Sequence, residues 1–403
     1  MAYFELALLR DGKTLEFDQR INSELKYQTY LELALHYYKY GLEEEAISIL
    51  ESSPDHPMVK GWLAYLTRLN VDVSKTYLDL MINGSPSFVF PFRVESIDML
   101  EWAASQTISW KPKYFLALNY LALHRNDEAL SYIDDCGELP DFSPFYIIRS
   151  HFKYSSDQQA QINDLERAVE LGRNDWRNWD YLITKYLKLG KYELAMRTSK
   201  EAVKKFPKKY ELELKLVESY LYNDNYKKAI NLLDQVVVLP FEGAKKGREL
   251  YEQALVLQAL EKVEVRKYEE ALTLLNKARE WPESLGVGKP YDPDTRIEDF
   301  LTAYCLKKLN HPDVEQYEKE VIAYTLEKGR NHLFQGALGL TLLNAFDRQQ
   351  ADSIAEELSK SSSPQTQWVV STYHDDNLKA KDLAEQFQDD LYFKIVSQLI
   401  ELK

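Results

Sequence analysis

The sequence is poor in the residues that usually mark turns, disulfide frameworks and metal clusters. Glycine and proline number 14 each among 403 residues, and both fall below their average share in proteins. The two cysteines, Cys136 and Cys305, are too few for a disulfide framework or a four-cysteine metal site. The seven histidines form no His-Glu-x-x-His pattern that would indicate a zinc-binding helix. We therefore expect neither a metal nor a cofactor.

Long apolar runs and an excess of positive charge are also missing. No apolar run approaches 18 residues, and residues 1–10 include Glu5 and a helix-like segment at residues 3–9, so neither a membrane span nor a signal peptide is predicted. Localisation stays unassigned, with the cytoplasm as the default. Fifty basic and 64 acidic residues give a net charge of −14. Nucleic acid is not an expected partner, because binding to its phosphates needs clustered cations.

What the sequence does contain is a repeated spacing of small and large residues. One unit between residues 176 and 207 carries Trp179, Leu182, Tyr186, Gly190, Tyr192, Ala195, Ala202 and Pro207. The small residue Ala195 recurs 34 positions later as Ala229. Other units keep twelve positions between two small residues: Ala34 and Ala46, Ala117 and Ala129, Ala259 and Ala271, Gly339 and Ala351.

This order and spacing resembles the tetratricopeptide consensus, whose period is 34 residues. The resemblance implies an all-α fold, a right-handed superhelical solenoid of at least six helical hairpins. Period-two alternation is almost absent, which also predicts very few strands. We expect a repeat array with inserts over residues 1–295. Residues 296–403 are expected to form divergent helical repeats and a C-terminal cap, since the consensus fades there.

Four connections are richer in aromatic, glycine and proline residues than a plain array needs: 84–93, 136–146, 239–248 and 281–294. The motifs they and their neighbours carry are Phe90-Pro-Phe-Arg93, Trp110-Lys-Pro-Lys-Tyr114, Pro140-Asp-Phe142, Leu239-Pro-Phe-Glu-Gly-Ala244 and Trp281-Pro-Glu283. As a set they resemble the C-terminal tetratricopeptide region of large bacterial proteins. The N-terminal domain of those proteins, of unknown function, is similar to galactose-mutarotase-like β-sandwiches. The resemblance implies a tail separated from such a domain and, by association, a carbohydrate setting.

The insert at residues 281–294 supports two interpretations. As a ligand loop it would offer aromatic faces for stacking, glycines for close backbone approach and one positive charge. The candidate residues are Trp281, Gly286, Gly288, Lys289 and Tyr291. In the alternative, Trp281 ends a helix while Tyr291 wedges between hairpins. A phosphate loop is discounted, because Pro290 follows Lys289 where Ser or Thr should stand.

By resemblance to tetratricopeptide arrays, the second, fifth, ninth and thirteenth repeat positions line a concave groove. The polar residues at those positions are Tyr146, Ser150, Tyr154, Arg177, Asp180, Thr184, Lys188, Glu211, Glu218 and Tyr222. This mixed, tyrosine-rich composition suits a recognition surface, although a solvated inner wall would also fit it. The fifth and ninth positions Asp180 and Thr184 lack the lysine and asparagine clamp of related arrays, which disfavours an acidic chaperone tail as the partner.

Catalytic patterns are absent from the sequence. Carboxylate pairs such as Glu95 with Glu101 are expected by chance among 64 acidic residues. We therefore predict a non-catalytic scaffold whose groove holds a protein or peptide partner, or its own missing N-terminal domain. The alternative is an accessory module of a carbohydrate-active protein, in which the aromatic inserts help to shape a sugar site.

Overall fold

The chain is built from α-helices. A computed structural model describes residues 17, 19–327 and 333–402, and within these ranges it contains 22 α-helices, two short 3-10 helices and no strand. The predictions of an all-α fold and of very few strands are therefore confirmed. Residues 3–9, predicted as helix-like, lie outside the described ranges.

The chain divides into two compact units, unit 1 up to Arg173 and unit 2 from Asn174 to Lys403. The boundary predicted at residue 295 marks where the repeat consensus fades, and it stays a prediction about repeat character. The helices of unit 1 are α1 (Lys26–Lys39), α2 (Glu43–Glu51), α3 (Pro57–Leu66), α4 (Val71–Asn83), α5 (Ser96–Gln106), α6 (Trp110–Ala122), α7 (Asn126–Cys136), α8 (Ser143–Phe152) and α9 (Gln158–Leu171).

Unit 2 continues the helical pairs and adds two inserted connections, before α14 and before α16. Its helices are α10 (Trp176–Lys188), α11 (Tyr192–Lys205), α12 (Tyr210–Tyr222), α13 (Tyr226–Leu233), α14 (Lys246–Glu264), α15 (Tyr268–Ala278), α16 (Arg296–Lys308), α17 (Val314–Leu326), α18 (Gly336–Phe346), α19 (Arg348–Ser359), α20 (Pro364–Tyr373), α21 (Asn377–Ala384) and α22 (Leu391–Glu401). The 3-10 helices are Glu283–Leu285 and Glu385–Phe387.

A recurring turn joins the two helices of many hairpins. One residue with positive φ follows the first helix at Gly41, His124, Gly190, Asp224, Arg266, Asn310 and Asp375. In each case the next residue donates its N–H to the carbonyl five positions earlier, at 2.8 to 3.1 Å. This is the Schellman arrangement, which satisfies carbonyls at a helix end. The hairpins therefore share one turn geometry even where the sequence supplies no glycine.

Small residues at the repeat spacing lie where paired helices meet. Ala34, Ala46, Ala117, Ala129, Ala195, Ala229, Ala259, Ala271 and Ala351 are each at most 2 % exposed. Gly339 of α18 is the tightest such position, because a Cβ placed there would lie 1.9 Å from Thr325 Oγ1 of α17. The close approach of backbones that the repeat predicts is thus present in both units.

The C-terminal helix closes part of unit 2. Leu391, Ile395, Val396 and Leu399 of α22 are buried, and α22 contacts α14, α16 and α18. Asp390 begins the helix by accepting hydrogen bonds from the N–H groups of Tyr392 and Phe393, at 2.8 and 3.1 Å. Helix α22 therefore belongs to the core of unit 2, and its first turn reaches the insert before α16.

Candidate binding clefts

Three of the predicted groove positions in unit 2 line one cleft, here called cleft A, with a volume of about 300 Å³. Asp180 lies on α10, and Glu211 and Glu218 lie on α12. The remaining lining residues are Trp176, Tyr210, Leu214, Lys215, Val238, Phe241, Gly243, Ala244, Lys246 and Gly247. Cleft A therefore combines the first helices of two consecutive hairpins with the insert before α14.

The carboxylates of cleft A are only partly matched by lysines. Glu218 lies 2.7 Å from Lys246 and 3.9 Å from Lys215, and Glu211 lies 3.0 Å from Lys209. Glu211 Oε2 is buried and accepts no hydrogen bond from the described residues. Burial raises the pKa of Asp180 against the opposing charge of Lys215, and Glu211 and Glu218 add to the rise. Among the described residues, the cleft has one buried acceptor without a donor, Glu211 Oε2, and it favours a donor that carries positive charge.

Trp176 at the edge of cleft A already holds cations on its ring. Lys209 Nζ lies 4.1 Å from the ring centroid, and the Arg177 guanidinium carbon lies 4.9 Å from it. Both distances are within the range of cation–π contacts. The Trp176 ring is therefore already engaged by two cationic side chains of the chain itself.

Other predicted groove residues do not line cleft A. Arg177 and Lys188 are exposed and Thr184 is half-buried. Tyr222 stacks on Tyr192 with ring centroids 4.5 Å apart. The Tyr222 hydroxyl donates to the main-chain carbonyl of Asp389, and the Tyr192 hydroxyl donates to the Asp389 carboxylate. The turn before α22 thus engages Tyr222 within the chain.

The predicted groove residues of unit 1 need a correction. Tyr146 is 1 % exposed and donates its hydroxyl to the Pro140 carbonyl at 2.9 Å. Ser150 is also buried and donates to the Ile147 carbonyl at 2.8 Å. Tyr154 is half-buried beside Lys153. Tyr146 and Ser150 are therefore buried in unit 1, and the insert before α8 supplies the acceptor for Tyr146.

The candidate ligand loop contributes to a second cleft in unit 2, here called cleft B, with a volume of about 360 Å³. Its lining residues are Lys245, Arg248, Glu249, Glu252, Trp281, Val287, Gly288, Pro290, Pro293, Asp294, Thr295, Gln335 and Tyr392. Trp281 and Gly288 are the two predicted loop residues that line it. Lys245, Arg248, Glu249 and Glu252 were not predicted as site residues, because charged side chains at the start of a helix are common on solvated faces.

The other predicted loop residues have different surroundings. Gly286 has a φ of +75°, and a Cβ there would lie 2.9 Å from the Val238 carbonyl, so this position needs glycine for the turn. Lys289 is exposed and Tyr291 is fully exposed. The alternative in which Tyr291 wedges between hairpins is wrong, since its ring is surrounded by solvent.

Arg248 is the central buried charge of cleft B. It is 5 % exposed, and its guanidinium donates to Glu252 at 3.0 Å and to the Ala278 carbonyl at 2.8 Å. Its planar face lies 4.5 Å from the centroid of the Trp281 ring. The Nε–H of Arg248 has no hydrogen-bond acceptor among the described residues. One face of Trp281 is therefore covered, while one buried donor stays unsatisfied.

Two buried carboxyls lie behind this arginine. Burial raises the pKa of Glu298 to about 7, against the pull of Arg279 and Arg248. Burial, together with the charge of Glu298, also raises the pKa of Glu252 well above its ordinary value. Such values suit acid–base groups and structural ion clusters alike. The two carboxyls alone assign no reaction to cleft B.

The described part of the chain offers little for thiol or metal chemistry. Burial raises the pKa of both thiols, Cys136 and Cys305, to about 12, which keeps them protonated. Residues 17, 19–327 and 333–402 contain no group of three or more His, Cys, Asp or Glu side chains arranged to hold a metal ion. No helix within the same ranges is long and apolar enough to span a membrane.

Comparisons with solved structures find helical repeat proteins at low identity. The apo form of the quorum sensor NprR from B. thuringiensis is 15% identical, with 93% of this chain and 97% of that chain covered and a TM-score of 0.36. Yeast Tom70 is 13% identical, with 96% and 97% covered and a TM-score of 0.36. The C-terminal part of a tetratricopeptide repeat protein from Cytophaga hutchinsonii is 13% identical, with 62% and 93% covered and a TM-score of 0.37. With TM-scores of 0.36 and 0.37, these similarities do not indicate a function.

The sequence comparisons are negative. No family model matches the chain, and no curated protein matches it. The resemblance to large bacterial proteins with a galactose-mutarotase-like domain therefore receives no support, and neither does the carbohydrate setting that it implied. The clefts of unit 2 remain the features from which a function can be argued.

Proposed function

We propose that the protein is a non-catalytic scaffold that holds a segment of a partner protein in cleft A through a basic side chain. The observation that carries this proposal is the buried Glu211 Oε2, unsatisfied by the described residues, in a cleft whose lining has three carboxylates and two lysines. An arginine or lysine of the partner supplies both the missing donor and the charge. The chain's net charge of −14 adds long-range attraction for such a partner.

The surroundings of cleft A favour a protein segment over a small ion. Val237, Leu239 and Phe241 in the adjoining insert are 57 to 69 % exposed. Exposed apolar side chains beside a polar cleft are typical of protein interaction sites. A carbohydrate at Trp281 is less well supported, because Arg248 covers one face of that ring.

Selection from a random twelve-residue peptide library on the full chain tests the proposal. We expect enrichment of peptides with arginine or lysine, and we expect Asp180→Asn with Glu211→Gln to weaken their binding by about tenfold or more, as lost charge-assisted hydrogen bonds predict. The matched control is Glu193→Gln with Glu201→Gln, two exposed carboxylates on α11. Failure to enrich basic peptides, or equal losses in both double variants, would reject the proposal.

A further inference from the structure

Cleft B combines the start of a repeat helix with segments between helices. Its walls are Lys245 and the first two turns of α14, the insert at residues 281–295, Gln335, and Tyr392 of α22. The insert is held in place by its own contacts. Val238 donates its N–H to the Ser284 carbonyl at 2.8 Å, and Leu285 is completely buried. The cleft is therefore a built feature of unit 2.

Positive and negative groups balance in cleft B, with Lys245, Arg248 and the adjoining Arg296 against Glu249, Glu252 and Asp294. Glu252 pairs with Arg248 at 3.0 Å, and Asp294 pairs with Arg296 at 2.6 Å. Lys245 and Glu249 are the other charged residues that line it, and their charges are opposite. The rest of the lining is largely Trp281, Val287, prolines and Tyr392. A further charged group entering this cleft would lose its hydration without gaining an uncompensated counter-charge, so an uncharged, apolar group fits it best.

One buried donor indicates what accompanies that apolar group. Arg248 is 5 % exposed and lines the cleft, and its Nε–H lacks an acceptor among the described residues. A buried N–H without a partner destabilises the protein by about 1 to 3 kcal/mol. A main-chain carbonyl of a peptide would satisfy this donor without adding charge.

Clefts A and B flank the same stretch of backbone. Lys246 and Gly247 line cleft A, whereas the adjacent residues Lys245 and Arg248 line cleft B. The start of α14 therefore separates the two clefts, and a helix is roughly 10 Å across. An extended peptide covers that distance with about three or four residues. One segment can reach both clefts.

We propose that cleft B is a second subsite, which takes an apolar side chain of the same partner segment whose basic side chain enters cleft A, with a carbonyl of that segment accepting from Arg248 Nε. This inference rests on the proposed function and names its partner more closely: an extended segment with a basic residue and an aromatic or aliphatic residue a few positions apart.

The first test measures cleft B alone, with N-acetyl-phenylalaninamide as the probe. The full chain is labelled with 5-fluorotryptophan, and the Trp281 resonance is assigned from its loss in Trp281→Phe. We expect saturable shifts of this resonance in the millimolar range. Gly288→Leu should abolish them, because Gly288 lines the cleft and a leucine can be placed there without a clash, since nothing lies within 4 Å of its Cβ. Lys289→Leu, outside the cleft, is the matched control.

The second test asks whether the two clefts bind one segment. The probes are acetyl-Arg-(Ser)n-Phe-amide peptides with one to five serines, each compared with its Phe→Ala version by calorimetry. At one or two spacer lengths the phenylalanine should tighten binding by about tenfold or more. Gly288→Leu should remove that gain and preserve the affinity of the Phe→Ala peptide, whereas Asp180→Asn should weaken both peptides.

The outcomes separate the two proposals. No shift of the Trp281 resonance up to the solubility limit of the probe, or the same shift in Gly288→Leu, would overturn the subsite. A probe that binds cleft B while phenylalanine adds no affinity at any spacer length would overturn the shared segment. Loss of all binding of arginine peptides, with the Trp281 response intact, would reject the function proposed for cleft A and the shared segment with it.

Discussion

The two units each bury an arginine on the first helix of a hairpin, and the two arginines are completed differently. In unit 1, Arg149 donates from Nε and one terminal nitrogen to Asp164 at 2.9 and 2.7 Å, and its other terminal nitrogen donates to the Gly137 carbonyl at 2.9 Å. In unit 2, Arg248 likewise donates to a helix-end carbonyl, that of Ala278, and to one carboxylate, but its Nε–H has no acceptor.

The difference separates a structural arginine from one that lines a cleft. Burial alone would lower the pKa of Arg149, but hydrogen bonds to Asp164 and Glu138 raise it. Arg149 therefore stays charged, and its charge is paired within unit 1. Burial raises the pKa of both carboxyl partners, Asp164 and Glu252, so the two arginines differ in how completely their donors are hydrogen-bonded. A buried guanidinium with an unsatisfied donor beside a cleft is thus the better candidate for ligand contact.

The largest expected effect tests this contrast directly. Arg149→Met should destabilise the protein by about 3 to 5 kcal/mol, because it leaves Asp164 buried without its counter-charge. Arg248→Met should cost less, about 1 to 2 kcal/mol, since Arg248 makes one hydrogen bond to its carboxylate partner where Arg149 makes two. Urea unfolding at pH 7 measures both. Adding Asp164→Leu to Arg149→Met should recover part of the lost stability. Equal losses of stability in Arg149→Met and Arg248→Met would contradict the comparison.

Two buried glycines give the next largest effect. Gly339→Ala in unit 2 should lower the free energy of unfolding by about 2 to 3 kcal/mol, because the new Cβ would lie 1.9 Å from Thr325 Oγ1 on the facing helix. Gly61→Ala in unit 1 should cost about 1 kcal/mol or less, since its nearest neighbours are the flexible side chains of Met81 and Met99, at 2.9 Å. Thermal unfolding compares them. Thr325→Ala should partly rescue Gly339→Ala but have no such effect on Gly61→Ala.

A third prediction concerns alkaline pH and unit 2. Glu298 has a pKa raised from 4.5 to about 7, so the folded state holds its proton more tightly than the unfolded state. The stability from this group is therefore fully present below about pH 4.5 and is lost as pH rises through 7. Glu298→Gln should make the protein about 2 to 3 kcal/mol more stable than the parent at pH 8, and nearly equal at pH 4.5. A constant difference across this range would contradict the assignment.

The sequence predicts the helical pairs well, because their determinants are local. A small residue such as Ala195 or Ala229 is needed wherever two backbones approach, and this requirement recurs with the repeat. The same register brings Asp180, Glu211 and Glu218 to one cleft, since the inward-facing positions of consecutive first helices line the same surface. The repeat spacing therefore accounts for the helical pairs and for part of cleft A.

Features that depend on inserts could not be predicted in this way. Tyr146 occupies a groove position in the repeat register, but Pro140 of the preceding insert accepts its hydroxyl and the side chain is buried. Cleft B joins Arg248, Trp281 and Tyr392, which are separated by tens of residues and meet only after the insert and α22 have folded onto α14. No local pattern encodes such contacts.

The smallest expected effect concerns His56 of unit 1 at acidic pH. Its contribution to stability should fall with decreasing pH, whereas that of Glu298 in unit 2 falls with increasing pH. His56 stacks on Tyr27 with ring centroids 3.4 Å apart, and its Nδ1 accepts the Met58 N–H at 3.2 Å. Burial lowers its pKa from 6.5 to about 4, against the opposing effects of the Phe88 carbonyl and Asp55.

This contribution to stability is present above about pH 6.5 and is lost as pH falls towards 4, because the unfolded state takes up the proton first. His56→Asn keeps an acceptor for the Met58 N–H but cannot titrate. Relative to this variant, the parent should lose about 1 kcal/mol of stability between pH 7 and pH 4.5. The value is kept small because the ring is partly exposed and solvent screens its charge. Chemical denaturation at the two pH values measures the change. A parent that gains stability over His56→Asn on acidification would show that the imidazole is charged in the folded protein, and the opposite pH responses of the two units would then disappear.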